Sequence, residues 1–279
     1  MIWKIKHKEL DLTAHGQVMG ILNTTPDSFS DGGRFEQLAA ALAHARKMIS
    51  QGATILDIGG ESSRPGASPV SLDEENKRTI PLVKALRAEW DGFISIDTTK
   101  AAIAAAALDA GADIVNDISG FTKDPDMPAL CASRDCGIVI MHMRGTPLDM
   151  QDAPYYENVF SEVREFFAER LATLGALGID FRRICFDPGI GFGKTLQHNL
   201  VLLANIAQLA PPGCPLMLGV SRKSLLSKLS DFPDLDTTTA VITALARQKG
   251  IMLHRVHDVE GNISALRTTE AIANCGISK

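Results

Sequence analysis

The sequence predicts an α/β protein of the (β/α)8, or TIM-barrel, type, and three observations carry that prediction. Eight short apolar runs recur along the 279 residues, mostly continuous rather than alternating, as in parallel strands buried on both faces. Amphipathic helical patterns lie between them, the rhythm of strand and crossover helix. Nearly every run also empties into polar residues, and the carboxyl ends of barrel strands are where such folds gather their chemistry.

The runs cover 18–22 (VMGIL), 54–58 (TILDI), 93–96 (FISI), 113–116 (DIVN), 137–141 (GIVIM), 183–186 (RICF), 215–220 (PLMLGV) and 251–256 (IMLHRV). Seven helical segments accompany them. The first, 36–52, closes on Gly52. The second, 73–90, opens on acids that suit the positive end of a helix dipole, and Pro81 is expected to kink or interrupt it. An alanine-rich segment, 99–111, closes on Gly111, and 157–178, 199–210, 237–250 and 258–275 follow. Residues 2–12 are expected to form an N-terminal hairpin that plugs the barrel bottom. The reading is one domain over 1–279, with the barrel at about 17–275. An open doubly wound sheet, the alternative, calls for Gly-x-Gly-x-x-Gly after the first strand; GIGFGK (189–194) follows a late one.

Composition narrows the function classes. With 28 Lys and Arg against 33 Asp and Glu, the chain is not a general nucleic-acid binder, although a local basic site for a small anion stays open. No uncharged apolar run reaches bilayer length, and the first ten residues lack a signal peptide's apolar core. A cytoplasmic protein with no membrane or nucleic-acid partner is expected. Five cysteines, an odd count without Cys-x-x-Cys, read as reduced and mostly buried thiols.

The strand ends carry Asn23, Asp97, Asn116 with Asp117, Asp187, the SRKS stretch (221–224), and Arg255 with His257. Asp117 and Asp258 read as helix N-caps, and His7, His15, His44 and His198 as surface or packed imidazoles. The remainder suggests two subsites. Asp97, Asn116 and Asp187 offer acceptors to a flat heterocycle with several N–H donors. Arg255 and His257 alternate along an extended segment and so face one side; beside Asn23 they suit a phosphate with a magnesium ion. SRKS is expected to open a helix whose N–H groups favour an anion.

Residues 19–35 (MGILNTTPDSFSDGGRF) and 52–67 (GATILDIGGESSRPGA) resemble the two signature segments of the dihydropteroate synthase family. The likeness continues in family order through SIDT, VNDISG, MHMRGTP, DPGIGFGK, GVSRKS and RVHDV. It implies a transferase of folate biosynthesis. Such an enzyme joins 6-hydroxymethyl-7,8-dihydropterin pyrophosphate to p-aminobenzoate, with Mg2+, through a dissociative, carbocation-like substitution. It also implies sulfonamides as competitive inhibitors and a homodimer.

The resemblance assigns Asp97, Asn116, Asp187, Lys223 and Met141 to the pterin, and Asn23, Arg255, His257, Ser63 and Arg64 to the pyrophosphate, with Asn23 holding the metal. Asp97, Lys223, Arg255 and His257 would be the catalytic group. Phe29 and Asp31 on a first loop, Ser63, Arg64 and Pro65 on a second, and Phe192 and Ser224 would meet p-aminobenzoate. Two departures stand out: Ser63 replaces the commoner Thr, and DLDTTTA (234–240) lacks the family's usual Arg-Leu-x-Gly, which bears on local helix packing and the dimer contact. The rival readings are a pterin-binding methyltransferase barrel, which needs no pyrophosphate pocket, and a relative that only binds pterin.

Overall fold

The computed structural model describes residues 1–24, 34–229 and 234–275. Its first element is an antiparallel hairpin, β1 (Ile2–Ile5) and β2 (Lys8–Asp11). Eight strands follow: β3 (Gln17–Asn23), β4 (Ile55–Gly59), β5 (Phe93–Asp97), β6 (Ile114–Asp117), β7 (Gly137–Met141), β8 (Ile184–Asp187), β9 (Met217–Leu218) and β10 (Leu253–Val256). They pair in parallel in the order β8-β7-β6-β5-β4-β3-β10-β9. A parallel bridge from Phe186 to Leu216, with Phe186 N–H donating to Pro215 O at 2.9 Å, joins the two ends into a ring. The expected TIM barrel and its N-terminal hairpin are both present.

The helices are α1 (Arg34–Ser50), α2 (Leu72–Glu89), α3 (Ala101–Asp109), α4 (Met127–Ser133), α5 (Val159–Ala176), α6 (Leu196–Ala204), α7 (Leu235–Gln248) and α8 (Val259–Asn274). Seven fall on the segments read from periodicity. The eighth, α4, has seven residues, about two turns, too short to display a helical period.

Strand alternation sorts the residues into two cores. Outward residues such as Leu56, Ile58, Ile94, Ile96, Ile138 and Phe186 pack against the helices. Inward residues Met19, Ile55, Phe93, Ile114, Val139, Cys185, Met217 and Leu253 form a separate apolar layer, sealed below by Trp3, Ile5, Leu10 and Leu12 of the hairpin region. Trp3 Nε1–H donates to Arg183 O at 2.8 Å, so the plug is pinned as well as packed. Two residues further along the strands, five inward positions turn polar: Asp57, Ser95, Asn116, Asp187 and Arg255. The floor therefore sets the height at which the site begins.

Three local expectations are corrected. Pro81 does not interrupt α2, which runs from Leu72 to Glu89; buried Ile80, Leu82, Val83 and Leu86 hold it against the barrel. Asp258 does cap α8, accepting from Gly261 N–H, but Asp117 caps no helix. Its carboxylate accepts from Ser119 N–H at 2.7 Å within the loop, and Asp126 stands at the N-terminus of α4. SRKS opens no α-helix either: a single 3-10 turn, Leu226–Lys228, follows, because Arg222 adopts a left-handed φ of 55° that breaks helical continuity. At the divergent 234–240 stretch, Asp234 caps α7 and accepts from Asp236 N–H and Thr237 Oγ1–H, so helix initiation is preserved without the usual Arg or Gly. Among the described residues no helix is long and apolar enough to cross a membrane.

Candidate active site

The first polar tier rises from the floor at Asp57, in the middle of β4. Its carboxylate is fully buried, and its Oδ2 accepts from Arg255 Nε at 2.6 Å and from Asn116 Nδ2 at 3.0 Å. Arg255 Nη2 donates to Asp97 Oδ2, also at 2.6 Å. One guanidinium thus bridges two carboxylates from β4 and β5, leaving Nη1 without a partner among the described residues. Asp57 Oδ1 and the neighbouring Ser95 hydroxyl, both buried, have no partner either, so the tier ends in unfilled hydrogen-bond capacity. Burial raises the Asp97 carboxyl to about 7 even though Arg255 opposes the shift, because Asp57, Glu75 and Asp117 add negative charge nearby.

The second group sits at β7, β8 and β9. Asp187 ends β8; its Oδ1 accepts from Gly189 N–H at 2.7 Å, and its own carbonyl accepts from His142 N–H at 2.9 Å. Burial raises its pKa, with Lys223 opposing. Lys223 Nζ donates to Ile190 O and lies 4.3 Å from the ring centre of Phe192. Met141, Met150 and Phe192 form a small apolar cluster beside it, a face against which a flat ring can stack. Behind this face Lys194 is buried, its Nζ meeting His142 Nδ1 and the carbonyls of Gly189 and Phe192, each at 3.0 Å, and His142 O at 3.2 Å. That side chain fastens the 189–194 loop to the segment after β7.

Burial brings the Lys223 ammonium down to about 8, partly offset by Asp187. A lysine so depressed loses its charge just above neutral pH. Any reaction that needs this charge should therefore slow along an alkaline limb near pH 8, and in Lys223→Arg that limb should move beyond the measurable range. A pH–rate profile with no difference between the two proteins would remove Lys223 from the titrating group.

The remaining positions are less closely joined. Asn23 ends β3 opposite Gly59. A Cβ placed on Gly59 would lie 3.7 Å from both Asn23 Oδ1 and Asp97 Oδ2, so these two oxygens flank one small space at the mouth. Arg255 pairs in register with Met19, two inward tiers below Asn23, and turns toward Asp57 and Asp97 rather than toward Asn23. His257, just past β10, is half-buried and tied through Nδ1 to Ser221 Oγ at 3.0 Å. Ser63, Arg64 and Pro65 lie on the loop after β4. Gly66 N–H of that loop donates to Pro147 O, and its base is held by Lys100, which bridges Glu61 and buried Glu75. Ser224 is exposed beyond Lys223. Phe29 and Asp31 lie outside the described residues.

Among the described residues no cluster of three or more His, Cys, Asp or Glu could hold a metal ion. Asn23 Oδ1 is a hard oxygen of the kind that suits a magnesium ion keeping most of its waters and taking its other ligands from phosphate, whereas Asp97 Oδ2 is already engaged by Arg255.

The family described as pterin binding enzyme matches residues 19–257. A dihydropteroate synthase of Synechocystis is 46% identical over 258 residues, 91% of this chain and 89% of that protein. The chain belongs to the dihydropteroate synthase family of pterin-binding enzymes. It is accordingly a transferase. Among solved dihydropteroate synthases, that of Yersinia pestis with a sulfonamide drug complex superposes with a TM-score of 0.91 at 40% identity, covering 99% of this chain and 100% of that one. The Burkholderia cenocepacia enzyme complexed with 7,8-dihydropteroate superposes at 0.88 and 40% identity, covering 98% and 96%.

Those site residues singled out from sequence that are described lie at or beyond the carboxyl ends of the barrel strands. Sequence reasoning missed Asp57, which is central to the tier. Its signal was present: a lone carboxylate inside the otherwise apolar TILDI run. It also missed Lys194 and Ser221, whose contacts span loops far apart in the chain and leave no local pattern.

Proposed function

We propose that the chain condenses 6-hydroxymethyl-7,8-dihydropterin pyrophosphate with p-aminobenzoate to give 7,8-dihydropteroate and pyrophosphate, with Mg2+. The buried tier of Asp57, Asp97, Asn116 and Arg255, facing Asp187 and Lys223, carries this reading. Three carboxyl groups against two cations make the pocket rich in acceptors, suited to a ring rich in N–H donors and to a cation developing beside it. Asp187 would hold the 2-amino edge, Lys223 the ring carbonyl and N5, and Met141 with Phe192 the ring faces.

The C–O bond to pyrophosphate breaks first, and the positive charge on the exocyclic carbon spreads into the pterin. Asp97 favours that charge. Arg255, through its unengaged Nη1, and His257 bind the departing pyrophosphate together with Ser63 and Arg64. Magnesium, held by Asn23, would neutralise part of the leaving charge. Phe29, Asp31, Pro65 and Ser224 would frame p-aminobenzoate, whose nitrogen is nucleophilic as bound, so no side-chain nucleophile is required. Closure of the two loops would exclude the water that competes for the cation. Sulfonamides, as mimics of p-aminobenzoate, would compete for its pocket. Val241 and Leu245 on α7 and Ile272 on α8 are large apolar residues left exposed, and we assign them to a homodimer contact that sedimentation can test.

The direct experiment mixes the protein with the pterin pyrophosphate, p-aminobenzoate and Mg2+ and follows pyrophosphate release. Release that depends on p-aminobenzoate is expected; its absence sinks the synthase reading.

A further inference from the structure

Ser221 belongs to no subsite described above, yet it makes two contacts to a single residue. Its Oγ accepts from the backbone N–H of His257 at 3.1 Å and lies 3.0 Å from Nδ1 of the same ring. Ser221 is buried at 6% exposure, and among the described residues its hydroxyl reaches no other acceptor. The hydroxyl proton therefore goes to Nδ1, which must be unprotonated to receive it. The ring's one proton is left on Nε2, and Nε2 has no partner among the described residues. Because residue 257 follows β10 in phase with Leu253 and Arg255, the imidazole belongs to the inward side of the barrel. Burial, with Arg255 and Arg222 nearby, lowers the ring's pKa to about 4, so at neutral pH the tautomer is the variable that matters.

We propose that Ser221 is a positioning residue, fixing His257 as the Nε2–H tautomer so that an N–H donor, rather than a lone pair, meets the pyrophosphate of the pterin substrate. This rests on the synthase reading for its ligand and on the two hydrogen bonds for its geometry. A lone pair facing a phosphate oxygen would repel it, so an unfixed ring spends part of its time in the wrong state. A hydroxyl set by the backbone N–H of the same residue holds the ring whether or not substrate is bound.

The test uses the full chain with 15N-labelled histidine, His257 being assigned by the signal lost in His257→Gln. Imidazole nitrogen shifts should show Nδ1 unprotonated and Nε2 protonated in the wild type, and inorganic pyrophosphate should perturb Nε2 more than Nδ1. Ser221→Ala should give a tautomer mixture and lower kcat/KM for the pterin pyrophosphate about tenfold, less than the ~10²-fold typical of deleting a preorganised donor outright. The KM for p-aminobenzoate should stay unchanged, and Ser221→Thr should restore both tautomer and rate. A wild-type ring protonated on Nδ1, or a Ser221→Ala ring with the wild-type tautomer, overturns the proposal and leaves the synthase reading intact. So does a tautomer shift without kinetic loss. A wild type that turns over no substrate yet shows the expected shifts and pyrophosphate response would instead refute the synthase reading alone.

Discussion

Arg255→Ala is expected to lower kcat/KM for the pterin pyrophosphate by about two to three orders of magnitude and to cost about 3–5 kcal/mol of stability at pH 8, the range for removing one partner of a buried ion pair. The reason is geometric. One guanidinium satisfies both Asp57 and Asp97, each at 2.6 Å, and without it two buried carboxylates face one another uncompensated. The stability cost should depend on pH with a definite sign. Asp97 is raised to about 7, so it contributes stability that is fully present below its unfolded pKa near 4 and is lost as pH rises through 7. Deleting Arg255 removes the group that opposes this shift. The penalty should therefore be smaller at pH 5.5, where Asp97 is protonated in either protein and only the Asp57 contact is lost as an ion pair, and should grow toward pH 8. Urea unfolding across that range checks the trend, and initial rates check the activity. A variant with wild-type kinetics would take Arg255 out of the site.

Gly189→Ala should be comparably severe for a different reason. Gly189 has φ +63°, and a Cβ there would lie 1.9 Å from the carbonyl oxygen of His142, a backbone atom that cannot rotate away. Gly178 is a built-in control: its φ is +81°, but nothing stands within 4 Å of its would-be Cβ. Gly178→Ala should show only left-handed strain, about 1–2 kcal/mol. Gly189→Ala should exceed it by several kcal/mol, or fold with the loop displaced. Displacement would break the Gly189 N–H bond to Asp187 Oδ1 and the Lys194 bonds to the carbonyls of Gly189 and Phe192. Pterin binding, measured by calorimetry, should weaken even in whatever fraction folds. Equal losses in the two alanine variants would mean that the approach of the two loops is not tight.

These two variants also show where sequence reading succeeds and where it stops. Eight strands were legible because a strand buried on both faces must be apolar over several residues, and the helices because burying one face imposes a period. Strand ends flagged Asp97, Asn116, Asp187, Lys223, Arg255 and His257, since polar residues at the close of apolar runs are visible one run at a time. Asp57 escaped because it lies within a run, and α4 because two turns carry no period. The SRKS helix was misjudged because a left-handed residue at Arg222, which pairs with Asp236 on α7, is a tertiary choice.

By itself, the sequence determined the strand count and the family, since each depends on local composition or on motifs contiguous in the chain. Only the closed barrel decided that Arg255 reaches Asp57 and Asp97, 198 and 158 residues away, that Lys194 fastens one loop to another, and that Ser221 sets the ring of His257. The physical reason is that a side chain's hydrogen-bond capacity is written in its chemistry, whereas the partner that fills it is chosen by the fold that buries it.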